Sequence, residues 1–533
     1  MQTFSGKGWL LSLEPARLQF DSTPAEHAGV NPDGGEDTPV VTSLTAEPLC
    51  VDLDGTLVKS DTLLDTVIVL ARQSPRSLLQ FPRWLAQGKA AFKRQVTLLA
   101  KIDVVHLPYN QPLLEYLRQQ HAEGREIYLA TGADTLLAER VAAHLGIFAG
   151  VLASDGILNL TGHSKLAAFQ QKFPAGFCYI GNARPDVPLL THCVHPMVAN
   201  PHRGLLAGLG SARVVPVRTF RDSASPVTSW LRAIRLHQWA KNVLIFLPVL
   251  LAHVHAIGPI VAAGLAFLSF GFAASATYIF NDLLDLEADR HHPRKRRRPF
   301  ASGDLSPIAG VATILLFVAA SLTLATLLPG VLSVLSPHFL SGGQGKFLEW
   351  LVIYVIVTTA YSLRLKRMML VDVIVLSGLY TIRILAGSAA SGVPVSQWLA
   401  AFSIFFFLSL AFVKRFSELE GMRIRSETTG TVVVRGRGYR ISDLEQLRSF
   451  GTASGYASVI VFALYIGNEV AQSLYPHHTR LWLLVPVLLL WISRLWLLAS
   501  RGDLHEDPVV YAITDKRSLL LGAIVVAIVL SAL

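Results

Sequence analysis

From Asn242 to Asn281 the chain runs without a single Asp, Glu, Lys or Arg. About 20 apolar residues of helix suffice to cross a bilayer core, so this run alone excludes an ordinary soluble fold. It ends abruptly at the stretch Asn281 to Gly303, N-D-L-L-D-L-E-A-D-R-H-H-P-R-K-R-R-R-P-F-A-S-G, where acids and bases crowd together. At about 100° per residue, Asp282, Asp285 and Asp289 fall within a helical arc of roughly 60°. Three carboxylates on one stripe at a membrane boundary repel each other unless a cation sits among them. Mg²⁺ bridging them to a diphosphate is the natural answer, because that ion is commonly held by one or two carboxylates plus substrate phosphates. The basic run Arg294 to Arg298, with Lys295 and Arg298 in it, can neutralise phosphate oxygens, or can simply flank a membrane segment as positive-inside loops do.

Here the residues carry a resemblance. N-D-x-x-D-x-x-x-D followed by H-P-x-K-x-x-R-P-x-x-S-G resembles the first aspartate motif of the UbiA superfamily of membrane prenyltransferases. The resemblance implies a Mg²⁺ site at Asp282, Asp285 and Asp289, with Asn281, Lys295 and Arg298 on substrate. It also implies an all-α polytopic membrane domain of about nine transmembrane helices.

The whole chain has 533 residues, 52% hydrophobic and 16% charged, with a net charge of +10. Its charges are unevenly spread, which predicts one soluble part and one membrane part. Cys50, Cys178 and Cys193 all lie in the first part, too few and too odd a set for a disulfide framework, and suit a reducing compartment. Residues 1–47 are rich in Pro, Gly, Glu and Asp, lack the apolar core of a signal peptide and are expected to be disordered.

Order is expected from Pro48. L-C-V-D-L-D-G-T-L reads as a buried strand entering a turn, with Asp52 and Asp54 on one side because side chains alternate. Strand–D-x-D-G-T resembles the first motif of the haloacid dehalogenase-like phosphatases, and implies an α/β Rossmannoid domain over 48–201 with a helical cap at about 60–110. In that family the first Asp attacks phosphorus and the second is general acid and base, with Mg²⁺ between protein and substrate. The resemblance extends to Thr131, a hydroxyl after the strand Ile127 to Ala130, and to Lys165 in G-H-S-K. It extends also to Tyr179 through Asp186, where the family carries metal-binding acids. Asn182 stands at the first of those acids and Asp186 at the second. An amide carbonyl can ligate Mg²⁺ but brings no charge, so a retained fold with weak or lost turnover is the competing reading. In the cap, Arg76, Arg83, Lys89, Lys93 and Arg94 interleave with Leu78, Phe81, Trp84, Leu85 and Phe92. That pattern suits an anionic membrane surface or a plain solvated helix.

Residues 202–229 read as a linker, and 230–533 as the membrane domain. Nine apolar runs can be marked, at about Asn242–Ala256, Pro259–Phe280, Pro307–Leu328, Leu348–Leu363, Val371–Ala389, Ser396–Val413, Phe450–Ile466, Leu481–Leu498 and Leu519–Leu533. Basic residues gather after the second, fourth, sixth and eighth runs. By the positive-inside rule those loops, and with them the N-terminal domain, are expected on the cytoplasmic side of the inner membrane.

A second constellation joins Tyr361, Arg364 and Lys366 to Asp372 at the start of the fifth run, where an ionisable residue is a functional candidate. Many aromatic prenyltransferases of the superfamily carry two aspartates here. This chain has one beside a phenol and two cations, which favours two phosphorylated substrates, with Lys241 and Arg383 as further partners. The run Y-S-x-x-L-K-x-x-x-x-x-D, then I-R-I-L-A-G and K-R-F-x-E-L, resembles the polyprenyl-phosphate phosphoribosyltransferase branch. That branch implies phosphoribosyl diphosphate as donor and a polyprenyl phosphate as acceptor, with Lys366 and Tyr361 beside the acceptor. A fused phosphatase would then remove the 5-phosphate of the product. Two other functions fit less of the pattern: a quinone-type prenyltransferase using a polyprenyl diphosphate, and a membrane lipid-phosphate binding protein with a docking domain. No nucleic-acid partner is expected.

Overall fold

The computed structural model describes residues 47–336, 346–429, 438–504 and 507–533. All of the segment expected to be disordered except Glu47 lies outside these.

Six parallel strands form the sheet of the soluble half: β1 (Leu49–Val51), β2 (Ile127–Asp134), β3 (Gly150–Ser154), β4 (Cys178–Gly181), β5 (Pro196–Ala199) and β6 (Arg218–Phe220), in the order β3-β2-β1-β4-β5-β6. Leu49, Cys50 and Val51 of β1 are wholly buried, as a central parallel strand covered on both faces must be. The chain winds from β1 to one side through β2 and β3, then returns through β4 to the other. The carboxyl end of β1 is therefore the switch point at which ligands bind in open α/β sheets.

The expected linker is not a linker. Residues 202–229 contain the helix Arg203–Ser211 and β6, whose Arg218 pairs with Met197 of β5. Leu205 and Leu209, four apart, are the buried face of that helix. A Cβ on Gly208 would meet Val187 at 2.7 Å, so the glycines that read as loop allow close packing instead. The cap consists of the helices Thr62–Gln73, Phe81–Ala86 and Lys89–Leu99 around Val69, Leu70, Trp84 and Val96. Arg76, Arg83 and Lys89 are exposed, whereas the other two cations turn inward. Lys93 Nζ donates to Gly132 O at 2.5 Å, and Arg94 pairs with Asp134 at 3.2 Å.

In the membrane half, seven helices among the described residues are long and apolar enough to cross a bilayer. They are α1 (Ile257–Leu284), α2 (Pro307–Leu335), α3 (Lys346–Leu363), α4 (Val371–Ser391), α5 (Gln397–Thr429), α6 (Leu444–Ile466) and α7 (Leu484–Ser500). The two outer runs of the expected nine fall short of that measure. The last is the 17-residue helix Lys516–Ala532, whereas the 3₁₀ turns from His478 extend the span of α7 to 23 residues. The first is a 3₁₀ segment, Leu236–Phe246, followed by the short helix Leu247–Leu251. Pro248 lacks the N–H that an α-helix would donate to residue 244. The 3₁₀ segment is also gripped closely from both sides: a Cβ on Gly387 would meet Ile245 O at 2.0 Å, and one on Gly271 the Trp239 ring at 2.8 Å. Small and hydroxyl residues join the other helices, as expected where no hydrophobic effect drives helix pairing. Ser269 of α1 and Ser321 of α2 each donate to the other's carbonyl, at 2.9 and 2.8 Å.

The soluble half meets the end of α1. Arg290, in the helix Leu286–His291, is buried and lies 2.8 Å from Asp65 and 3.1 Å from Ser60 Oγ. Lys59 pairs with Asp304 at 2.9 Å.

Candidate active sites

Helix α1 ends at Leu284, Asp285 takes φ −94° and ψ 10°, and helical turns resume at Leu286. The interruption is slight, so Asp282, Asp285 and Asp289 stay close to helical spacing. Asp282 and Asp289 are buried, whereas Asp285 is 31% exposed at its side chain. The guanidinium of Arg298 lies between the two buried acids, 3.0 Å from Asp282 and 2.6 Å from Asp289. Arg235 adds a contact of 2.6 Å to Asp282. Lys366 and Arg72 stand 3.5 and 3.7 Å from Asp285, and Lys295 only 3.9 Å from Asp289. Burial lifts Asp289 above the usual carboxylate range, and Arg298 offsets only part of that. The need for a cation among the acids is thus met by arginine. Hard oxygens converging on one positive group also suit a hard divalent ion.

Beside this stripe opens a cavity of about 930 Å³. Its wall includes Asn281, Lys241, Tyr361 and Arg383 of the expected residues, and also Arg235, Arg294, Lys414, Glu418 and Asp507. Five cations against two acids make it basic. Lys241 and Lys414 both reach Asp507 Oδ2, at 2.9 and 2.8 Å, and Tyr380 donates to its other oxygen at 3.3 Å. Burial raises the Asp507 carboxyl, but the two ammonium groups more than offset it and hold the group well below the usual range. Arg383 donates to Asn242 Oδ1 at 2.9 Å and to Tyr354 OH at 3.3 Å.

The remaining expected residues lie outside that wall. Lys366 and Arg298 face the acid stripe, and Arg364 is exposed. Asp372 departs furthest from its expected place on substrate. It is fully buried, 2.5 Å from Arg415 Nε, and accepts from Tyr439 OH at 2.5 Å. Arg415 in turn donates to Tyr361 OH at 3.0 Å. Asp372 therefore reaches the cavity wall through Arg415, which contacts both Tyr361 and Glu418. Sequence reasoning passed over Asp507, because Asp-Pro before a short helix reads as an ordinary cap. It does cap the helix Pro508–Thr514, through Val509 N–H at 3.2 Å. Lys414 and Arg415 sat in the K-R-F run already singled out.

The soluble half gathers its own constellation at the carboxyl ends of β1, β2 and β4. Lys165 Nζ donates to Asp52 Oδ1 at 2.8 Å and to Tyr179 OH at 2.7 Å. Tyr179 donates onward to Asp186 at 2.8 Å, and the other Asp186 oxygen accepts from the Asn182 and Ala183 N–H groups at 3.1 and 3.0 Å. Both oxygens of Asp186 are thereby occupied in shaping the loop. Asp54 accepts from Thr62 N–H at 2.7 Å, and Thr131 is buried within β2, which runs on past the expected end at Ala130 to Asp134. Asn182 is buried against Gly55, where a Cβ would come within 1.9 Å of its amide nitrogen. Burial pushes Asp52 up to about 6 and Asp54 up to about 7; Lys165 offsets part of the first shift, and Asp61 adds to the second. Two raised carboxyls at the end of β1 suit a divalent ion, which would lower both.

Comparison with known proteins covers both halves. Residues 242–520 match the UbiA prenyltransferase family. The uncharacterized protein y4nM of Sinorhizobium fredii is 37% identical over 486 residues, 90% of this chain and 89% of that protein. The nodulation protein NoeC of Azorhizobium caulinodans is 36% identical over 55% of this chain and 90% of its own. The decaprenyl-phosphate phosphoribosyltransferase of Mycobacterium tuberculosis is 31% identical over 48% of this chain and 81% of its own. With more than half of its length matched by the family model, the chain belongs to the UbiA prenyltransferase family.

Proposed function

We propose that the membrane half transfers phosphoribose from phosphoribosyl diphosphate to a polyprenyl phosphate. The observation that carries this reading is the basic cavity set against the acid stripe. Its two ends suit two different phosphates, and its one aspartate is already neutralised by Lys241 and Lys414. The 31% identity to a decaprenyl-phosphate phosphoribosyltransferase supports it, and among the described residues the cavity wall has one aspartate, Asp507, rather than the second pair that a second metal-bound diphosphate would need.

In this reading Asp282, Asp285 and Asp289 hold Mg²⁺ at the donor. The ion would neutralise diphosphate as it departs from ribose C1. Arg298 and Arg235 give up their carboxylates and turn to the diphosphate oxygens. Lys241, Lys414 and Arg383 hold the lipid phosphate, with Tyr361 kept in place by Arg415 and Asp372. A phosphate oxygen forms the new bond to C1 as the bond from C1 to diphosphate oxygen breaks. The nucleophile is already anionic, so no general base is required. Asn281 contacts the donor, while Lys366 and Lys295 add charge near the stripe.

The soluble half, residues 48–229, is a haloacid dehalogenase-like phosphatase in this account. Asp52 attacks phosphorus and the raised Asp54 protonates the leaving oxygen, with Thr131 and Lys165 on the phosphate and Asn182 beside the metal. Its substrate is the 5-phosphate of the lipid product. Both halves face the cytoplasm at the inner membrane, so effective concentration favours their acting in sequence.

Membranes incubated separately with labelled phosphoribosyl diphosphate and labelled polyprenyl diphosphate test the reading. Label from the first should enter the lipid fraction. Label passing only from polyprenyl diphosphate into an aromatic acceptor would refute it.

A further inference from the structure

Where the two halves meet, three side chains converge that neither proposed reaction uses. Asp103 and His106 lie in the turn after the cap helix Lys89–Leu99, in the soluble half. His291 ends the helix Leu286–His291, in the membrane half. His106 Nδ1 and His291 Nε2 stand 2.8 and 2.7 Å from the same oxygen, Asp103 Oδ2. One ligand atom from each residue lies within 4.8 Å of the others.

Each group is held in a ligating pose. His291 Nδ1 is 2.8 Å from Glu287 O, and because a carbonyl only accepts, Nδ1 carries the proton. In neutral imidazole this leaves Nε2 with its lone pair aimed at Asp103, the outer-partner arrangement common to metal-bound histidines. Asp103 is oriented through Oδ1, which accepts from Val105 N–H at 2.9 Å. His106 is oriented by stacking on His291, with ring centroids 4.1 Å apart. Two acceptors 2.7 Å apart need either a proton or a metal ion between them.

We propose that Asp103, His106 and His291 bind a zinc-type divalent cation that fastens the soluble half to the membrane half. Two imidazoles and one carboxylate are a borderline-soft donor set, which suits zinc better than magnesium. Metal–ligand bonds of about 2.0–2.1 Å in a tetrahedron separate ligand atoms by about 3.3 Å. Each histidine nitrogen must therefore part from Asp103 Oδ2 by about half an ångström as the ion displaces the protons, and the two nitrogens, within 4.8 Å of each other, must settle at the same spacing. Water completes the coordination on the exposed side. The site is separate in chemistry from the acid stripe, which offers only oxygen.

Zinc titration of the purified full-length protein tests this, with affinity read by chelator competition. In excess Mg²⁺, which fills the carboxylate sites, one equivalent of zinc should bind to the wild type. Loss of a metal ligand should cost at least the 10–100-fold typical of losing its outer partner, so His106→Ala and His291→Ala should each weaken binding by about a hundredfold. Asp282→Asn should bind zinc as the wild type does. Zinc should also slow proteolytic separation of the halves in the wild type and not in His106→Ala. Absence of stoichiometric binding in the wild type, or unchanged affinity in both histidine variants, would overturn the proposal.

Discussion

The guanidinium of Arg290, carried on the membrane half, lies 2.8 Å from the carboxylate of Asp65 in the cap, and both groups are buried. Arg290 follows Asp289 directly, and Asp65 is four residues from Asp61, the cap of its helix. This ion pair ties the acid stripe of one half to the cap helix of the other, whose Thr62 N–H donates to Asp54.

Removing one partner of a buried pair strands the other charge, at a cost of about 3–5 kcal/mol. Arg290→Met should therefore loosen the soluble half, seen as faster protease cleavage between the halves and a lower unfolding temperature. The double variant Arg290→Met, Asp65→Leu should recover most of the loss. A single variant as resistant as the wild type would mean the pair does not hold the halves together.

Asp282→Asn removes a charge from the carboxylate that Arg298 and Arg235 now share. Transfer should fall by about a hundredfold, the equivalent of roughly 3 kcal/mol in one electrostatic contact to the departing group. Asp285→Asn should fall comparably. Near wild-type rates for both at saturating Mg²⁺ would dismiss the metal site.

Lys414 and Lys241 are assigned to the acceptor phosphate rather than the donor. A charged hydrogen bond contributes about 1.5–3 kcal/mol, so Lys414→Met should raise KM for polyprenyl phosphate by at least about tenfold. KM for phosphoribosyl diphosphate should change little. The reverse pattern would exchange the two ends of the cavity.

Burial places Asp52 at about 6 and Asp54 at about 7, above the ordinary carboxylate value. The folded state thus holds protons that the unfolded chain has released. The resulting stability is full below about pH 4 and is lost as pH rises through 6 and 7. In metal-free buffer, Asp54→Asn should unfold at a higher temperature than wild type at pH 7.5, by on the order of 3 °C, and the difference should vanish at pH 4. Equal temperatures at pH 7.5 would place Asp54 in the ordinary range.

Much of this was legible in the sequence because it depends on local spacing. Asp282, Asp285 and Asp289 needed only helical periodicity, and Asp52 and Asp54 only strand alternation. The counter-ions were not legible, because they come from far along the chain: Arg235 reaches Asp282, Asp507 meets Lys241 and Lys414, and Arg415 takes Asp372. Such pairings depend on how helices pack, which no local pattern records. Composition also misled where glycine serves packing rather than turning. Gly208 concealed a helix in the supposed linker, and Gly387 accommodates the 3₁₀ segment that replaces an expected apolar crossing.

The central claim concerns the group transferred, and a variant arrested at its second step reads it most directly. Asp52→Asn protein in proteoliposomes would receive a polyprenyl phosphate, Mg²⁺ and phosphoribosyl diphosphate labelled in both ribose and 5-phosphate, and its lipids would be weighed by mass spectrometry. The account predicts a lipid carrying both labels, which the wild type converts to one carrying ribose without the 5-phosphate. A lipid unchanged in mass in both proteins, under conditions where polyprenyl diphosphate is consumed, would contradict it.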